Sequence, residues 1–446
     1  MKKTLLVLLF ITALLLTACG GAAEPTEAPE VPAATEAPVV EEVEEAEEAE
    51  EMAPVELRFT YYADGVEADV MQPILDGFMA EHPEITVVLD VVPYDTIDTQ
   101  LPVQVETGEG PDLARITNFG AYSGKLLDLR EYMADPAYYQ ANFPASVLFA
   151  LGYGGYPDAY TVTGPYVNKT LFEQAGVELL GEGASWADWT EATTAVAEAT
   201  GTQYALSIDR TGHRFAGPAM SMGATLIDAD GNFTVDTPGF RAFAETLNGW
   251  HEAGITPSEV WLVGDSLNNC IDWFKSAELV MCMSGSWQIN GLANDVGDAF
   301  DWVVVPNPTG DGGSTGVAGG SAVVAFADTA YPEQVGMLME YLIQAENYGA
   351  FSAGTLALPA HSGAAAAGIE FETDNPSVLG ALAAFTAEVP KLQEQAAGLN
   401  VHPFAFAYYR NSANRIAQYL TGELSLDDTM VRLQQDIDDA IAEATQ

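Results

Sequence analysis

Sulfur and carboxylate side chains are the chemistry-bearing groups of this 446-residue chain, so they come first. Cys19 ends the run Leu16-Thr17-Ala18-Cys19, after Lys2-Lys3 and an unbroken apolar stretch from Thr4 to Leu16. A charged start, a short apolar run and small residues before a cysteine make a secretory signal of the lipoprotein kind. The apolar run is about a dozen residues, short of the roughly 20 that span a bilayer as a helix. Cys270 and Cys282 are two further sulfurs. An exported protein permits them to pair, and two buried free thiols is the other reading; both stay open at this point. No Cys/His spacing resembles a zinc site. Asp228-Ala229-Asp230-Gly231-Asn232 begins like a calcium loop, but Gly239 stands where the closing glutamate belongs, so an Asp-Gly hairpin turn is predicted. His-Glu-x-x-His and P-loop patterns are absent. No catalytic residue, metal site or cofactor is therefore expected.

Charge narrows the partners. Against 65 acidic residues stand only 15 basic ones, for a net charge of −50. Phosphate binding needs clustered Lys and Arg, so nucleic acid is excluded as a partner. Such a balance keeps a surface soluble and repels anionic headgroups. From Gly20 to Pro54 the chain is mostly Ala, Pro, Glu and Val without an aromatic residue, and it holds the acidic run Glu41 to Glu51. That composition predicts a disordered, self-repelling tether over 19–54. The remaining ~390 residues exceed what one hydrophobic core usually serves, which predicts two domains.

The elements that must position any site follow from periodicity. Val55 to Tyr62 alternates as a strand, Val70 to His82 carries a helical period that stops at Pro83, and Ile85 to Val92 is a second strand. Strand, helix, strand at this spacing predicts a parallel α/β unit. The pattern recurs in strands Ala205 to Ile208, Leu279 to Met283 and Trp302 to Val305, and in helices Pro238 to Ala253 and Pro332 to Glu346. Tyr408 to Gln446 reads as helix with one break near Thr421-Gly422. The fold class is α/β.

The order of landmarks then resembles a known family. Phe78-Met79-Ala80-Glu81-His82-Pro83-Glu84-Ile85-Thr86-Val87 is similar to the "F-x-x-x-x-P-x-I-x-V" opening of the extracellular solute-binding proteins of ABC importers, in the carbohydrate-binding group that includes maltodextrin binders. Thr107-Gly108-Glu109-Gly110-Pro111-Asp112 resembles its "A-G-x-x-P-D" loop. Asn168 to Gly176 resembles "N-K-x-L-F-x-x-A-G", and Ser185-Trp186-Ala187-Asp188 resembles "T-W-x-E". Phe274 to Met281 with Gly285-Ser286-Trp287 resembles "F-x-x-G-x-x-A-M … G-x-W". Leu16 to Cys19 likewise resembles a bacterial lipobox, which implies cleavage after residue 18, a lipid on Cys19 and an extracytoplasmic protein held at the cell membrane. The family resemblance implies a two-lobe periplasmic-binding-protein fold of type II, a Venus flytrap, with inter-lobe hinge crossings near Ala159 to Gly164, Val317 to Ser321 and Thr355 to Leu358. It assigns 55–160 plus 321–354 to one lobe and 164–316 plus 358–446 to the other.

The same resemblance implies the function and its residues. A carbohydrate would be captured between the lobes and handed to ABC permease subunits by a monomer that is not an enzyme. Sugar sites combine aromatic platforms with polar hydrogen-bonding groups. Trp287 and Tyr409 fall where relatives carry ring-stacking aromatics. Tyr62 and Asp64 end the first strand at the lobe edge, Thr117, Asn118 and Phe119 follow the Pro111-Asp112 loop, and His213 and Arg214 occupy a segment that lines the cleft in relatives. Arg214 facing the cleft would point to an acidic sugar by bidentate pairing. Rival readings are a secreted glycoside hydrolase, a binding protein for polyamine, peptide or iron, and a sensor subunit.

Overall fold

The computed structural model describes residues 54–263 and 269–445; Cys19, the signal segment and the acidic tether lie outside the described residues. The backbone of the fold is one eight-stranded sheet with two halves. Its strands are β1 (Val55–Tyr61), β2 (Ile85–Val91), β3 (Leu113–Ile116), β4 (Gly155–Asn168), β5 (Tyr204–Ile208), β6 (Leu279–Gly285), β7 (Trp302–Val304) and β10 (Ala318–Ala325), with β8 (Thr309–Gly310) and β9 (Gly313–Ser314) forming a separate hairpin. The order is β2-β1-β3-β10-β4-β6-β5, with β7 beside β4.

The first half is the predicted unit. β1 and β2 pair in parallel from Val55↔Ile85 to Tyr61↔Val91, joined by the helix Glu67–Glu81. Leu57, Phe59 and Tyr61 alternate inward along β1 and are fully buried. β3 and β6 are buried at every position, as central strands covered on both faces must be.

β4 joins the halves. From Gly155 to Val162 it pairs antiparallel with β10, and from Thr163 onward it pairs with β6 and β7. Gly320, with φ of 143°, sits where β10 comes so close to β4 that a β-carbon would lie 2.2 Å from the Ala159 carbonyl oxygen. The cores are correspondingly separate. One gathers Leu57, Phe78, Tyr156, Leu338 and Phe351, and the other gathers Tyr166, Trp189, Phe215, Phe274, Trp302 and Phe385.

One helix expectation needs correction. The helix expected over Pro332 to Glu346 is two helices, Pro332–Leu342 and Ala345–Thr355, because Gln344 takes an extended conformation between them. The chain beyond 358 touches both cores. The His361 ring hydrogen-bonds the Tyr138 hydroxyl at 3.1 Å, and Ala364 and Ile369 pack in the first core. Leu356 and Leu358 pack on the second core, and the chain returns to it at Phe371. Five small residues and a histidine across 361–366 carry no periodicity that could have placed them.

Most landmarks are structural devices. Asn168 caps the helix Lys169–Ala175, which ends in left-handed Gly176 at φ of 68°. Ser185 and Asp188 form a reciprocal capping box, and Trp186 and Trp189 are buried. Asp112 accepts hydrogen bonds from Arg58 N and Thr329 Oγ1, stapling β1 to the chain beyond β10. Ala277 stands where the resembling pattern has glycine and holds φ of 58°. A β-carbon in that region costs about 1–2 kcal/mol, partly offset in the unfolded chain. Ala277→Gly is therefore expected to stabilise the protein by about 1 kcal/mol, read as a rise in Tm; an unchanged or lower Tm would contradict it.

Candidate functional site

Between the halves lies a cavity of about 910 Å³, lined from both sides. The first half contributes the end of β1, β3 and the helix Tyr94–Thr99; the second contributes the turn after β6, the start of the helix Gly212–Ser221 and the helix Ala405–Leu420. Strand ends and helix starts converge here because an open α/β sheet leaves its crevice at the strand ends.

Seven of the nine residues expected at the site line this cavity: Tyr62, Asp64, Thr117, His213, Arg214, Trp287 and Tyr409. Asn118 and Phe119 do not. The 3-10 turn Phe119–Tyr122 carries Phe119 into a cluster with Ile97, Leu101 and Ile116, and Asn118 borders a separate small crevice. Adjacent tyrosines part company on the helix Ala405–Leu420. Tyr409 faces the cavity, whereas Tyr408 stacks on Phe233 at 5.2 Å and 5° within the core. The Asp228 to Asn232 segment is a turn, in which Asp228 Oδ1 accepts from Asp230 N and Asn232 N.

The second-half wall is built around Arg214. Thr211 caps the helix Gly212–Ser221 by accepting from Arg214 N, which places His213 and Arg214 in the first turn facing the cavity. Arg214 Nη1 donates to Thr163 Oγ1 at 2.8 Å and also meets His213 Nδ1. Its guanidinium carbon stands 4.1 Å from the centre of the Trp287 ring, a cation–π contact. His213 Nε2 lies 2.9 Å from the Ala318 carbonyl oxygen, so the same residue ties this helix to β10. Burial, reinforced by Arg214, holds the His213 ring far below its ordinary pKa and therefore neutral.

Asp209 is the carboxylate nearest to Arg214, 4.0 Å from Nε. Its own oxygens accept from Ser284 Oγ at 2.5 Å and Cys270 N at 2.9 Å. Burial pushes Asp209 up to about 6, against the pull of Arg214, and burial lowers Arg214 to about 10. Cys270 and Cys282 are joined in a disulfide, which settles the open reading of that pair. Asp209, Cys270 and Cys282 are the one group of close metal-ligand types among the described residues, and its sulfurs are bonded to each other.

The first-half wall centres on Arg115, which the sequence reading missed. Arg115 Nε donates to Asp158 Oδ2 at 2.8 Å and Nη1 to the Tyr62 carbonyl oxygen at 3.0 Å. The guanidinium also lies over the Tyr62 ring at 4.4 Å. An arginine inside the apolar run Leu113-Ala114-Arg115-Ile116 was the available signal, since a charge on a buried strand must be paired. Tyr94 packs edge-on against Tyr62 and shares a 2.8 Å hydrogen bond with Thr117. Asp64 stays exposed to the cavity, where the surrounding protein raises its carboxyl and Arg115 opposes the rise.

One ion pair spans the halves at the cavity. Arg410, from the helix Ala405–Leu420, meets Asp98, from the helix Tyr94–Thr99. Arg410 is about half exposed, so the pair is worth about 0.2–1 kcal/mol. Asp98→Lys or Arg410→Glu alone is expected to weaken ligand retention by about two- to fivefold, and the double swap to recover it. Failure of the swap to recover dissociation rates toward the parent would remove this pair from the closed state.

The fold and cavity can now be set beside known proteins. Residues 63–349 match the family described as bacterial extracellular solute-binding protein. A binding protein of Brucella abortus (strain 2308) is 24% identical over 334 residues, covering 72% of this chain and 78% of that protein. An ABC substrate-binding protein of Listeria monocytogenes, solved in complex with cycloalternan, superposes with a TM-score of 0.72 at 17% identity, over 87% of this chain and 99% of that one. The GacH receptor of Streptomyces glaucescens GLA.O, solved unliganded and with acarbose, gives 0.70 at 19% identity, over 88% and 99%. Those likenesses establish a two-lobe solute-binding fold, and the match across most of the chain establishes more: the protein belongs to the bacterial extracellular solute-binding protein family.

Proposed function

We propose that the protein captures a carbohydrate between its lobes and delivers it to an ABC importer, acting as a carrier and not as a hydrolase. The observation that carries this reading is the cavity itself, where aromatic faces (Tyr62, Tyr94, Trp287, Tyr409) stand among buried arginines and carboxylates from both lobes. Sugar rings present weakly apolar faces edged by hydroxyls, and this mixture suits both. At about 910 Å³ the cavity is near the top of the roughly 300–1,000 Å³ range of small-molecule sites, which favours an oligosaccharide over a single ring. Several of the superposing proteins were solved with oligosaccharides, including mannotriose and cycloalternan.

Ligand touching both walls would favour the closed arrangement, because its contacts exist together only when both lobes engage. Micromolar affinity, about −8 kcal/mol, is sufficient for the role. The lobes would be 55–160 with 321–354 and 164–316 with 358–446, the stretch 361–369 crossing back onto the first core. Cys19 would carry the lipid, and 19–54 would tether a monomer beside its permease. Cys19→Ser should move the protein from the membrane fraction to the soluble one.

A thermal-shift screen against oligosaccharides, single sugars, uronates, polyamines and Fe(III) tests the ligand class, since a ligand of the native state raises Tm with concentration. Stabilisation by sugars is expected. Stabilisation by polyamine or iron alone would end the carbohydrate reading, and sugar cleavage at catalytic rates would end the carrier reading.

A further inference from the structure

Arg214 is 8% exposed and lines the cavity, yet it hydrogen-bonds no carboxylate among the described residues. Asp209 stands off at 4.0 Å with Ser284 and Cys270 bonded to its oxygens. Arg214 Nε is buried without a hydrogen-bond partner. The Tyr409 hydroxyl, buried against the same cavity, also has none, and Arg214 is the positive charge acting on it. By contrast, the cavity's Arg115 and Arg410 are both bonded to carboxylates, Asp158 and Asp98. A buried guanidinium short of a hydrogen-bonded counter-ion carries an unrelieved desolvation cost of several kcal/mol. A planar anion entering the cavity would relieve it.

We propose that Arg214, with Trp287 beside it and the Tyr409 hydroxyl near it, receives a carboxylate carried by the sugar, so that the ligand is an acidic oligosaccharide containing a uronic acid. The guanidinium fork matches a carboxylate in two parallel hydrogen bonds, which an ammonium cannot do. Trp287 shields one side of the guanidinium and keeps it oriented. The opposite lobe supplies Asp64 and Glu67, whose oxygens accept from sugar hydroxyls instead.

A carboxylate on Arg214 brings a second negative charge toward Asp209. The charged and titratable groups acting on Asp209 are Arg214, Asp272 and Tyr166, with His213 neutral beside Arg214. An added anion raises the Asp209 carboxyl further, so the complex binds more protons than the free protein. Affinity for an acidic sugar should therefore strengthen as pH falls from 7.5 to 5.5, while a neutral sugar shows no such slope.

The inference rests on the carbohydrate reading, and calorimetry can separate the two. Di- and trisaccharides of glucuronate, galacturonate and mannuronate are titrated beside their neutral counterparts and a sulfated sugar. At least one uronate is expected to bind tenfold or more tightly than its neutral counterpart. Arg214→Lys, which keeps the charge, and Arg214→Gln are both expected to erase that margin, weakening the uronate about tenfold more than its neutral counterpart. Tyr409→Phe is expected to narrow the margin. Neutral sugars binding as tightly as every matched uronate would overturn the inference and leave carbohydrate capture standing. Preference for the sulfated sugar alone, or a margin that survives Arg214→Lys and Arg214→Gln together, would also overturn it. Binding of no saccharide at all would remove the carbohydrate reading first.

Discussion

Serine at Cys270 and Cys282 is expected to cost about 3 kcal/mol of stability, the loop-closure value for cysteines 12 residues apart. In a lobe of this size that is a Tm lower by about 6–12 °C. The disulfide closes the segment from the helix Ile271–Lys275 to the middle of β6, in the second core. Its effect should reach the site. Cys270 N donates to Asp209, and Asn269 lines the cavity, so a loosened segment gives Asp209 a poorer partner. Scanning calorimetry with and without reductant provides the check, with ligand titration on the same samples. A reduced protein that melts within a degree of the oxidised one would contradict the assignment of a stabilising role.

Trp287→Ala is expected to weaken ligand binding by about 10- to 100-fold, through two losses. The ligand loses an aromatic face, worth about 0.5–1.5 kcal/mol beyond its area. Arg214 loses its cation–π partner, worth about 0.5–2 kcal/mol, and with it the orientation of its fork. Gly285 offers a subtler test. A β-carbon there would lie 1.9 Å from the Trp287 ring, so the ring rests directly over the glycine. Gly285→Ala keeps the indole but displaces it, and should weaken binding in the same direction. Calorimetric titration with the best-stabilising sugar measures both. Parent-like affinity in Trp287→Ala, with an unchanged Tm, would remove this residue from the site.

The fold was readable to a useful depth because its determinants are local. Periodicity located β1, β2, the helix between them and the C-terminal helix pair Ala405–Leu420 and Leu426–Ala444, whose break falls at Gly422 with φ of 74°. Capping residues such as Asn168 and Ser185 act within one helical turn, so they were visible as short motifs. The helix pair at Gln344 was missed because an apolar period continues on both sides of the break. Residues 361–369 join the first core through packing alone, which no local pattern marks.

The site was legible in part. Trp287 belongs to a motif, and Tyr62, Asp64, Thr117, His213, Arg214 and Tyr409 were placed by analogy of position; all reach the cavity. Arg115, Tyr94, Asp98 and Asp209 were not read, although three of them ion-pair or bond beside residues that were. Their roles depend on partners 43, 23 and 312 residues away, in Arg115–Asp158, Tyr94–Thr117 and Asp98–Arg410. No periodicity or short motif spans such separations.

Composition and periodicity thus pointed to the α/β class and a strongly acidic chain, and the order of short motifs carried the family resemblance, since each is a property of neighbours along the chain. Tertiary structure decided what one-dimensional order cannot hold. It turned Tyr409 into the cavity and Tyr408 into the core, joined Cys270 to Cys282, and spent the charges of Arg115 and Arg410 on carboxylates while leaving Arg214 without a carboxylate hydrogen bond. A side chain's remaining hydrogen-bonding capacity is fixed only after distant partners have met, and that remainder is what a ligand recognises.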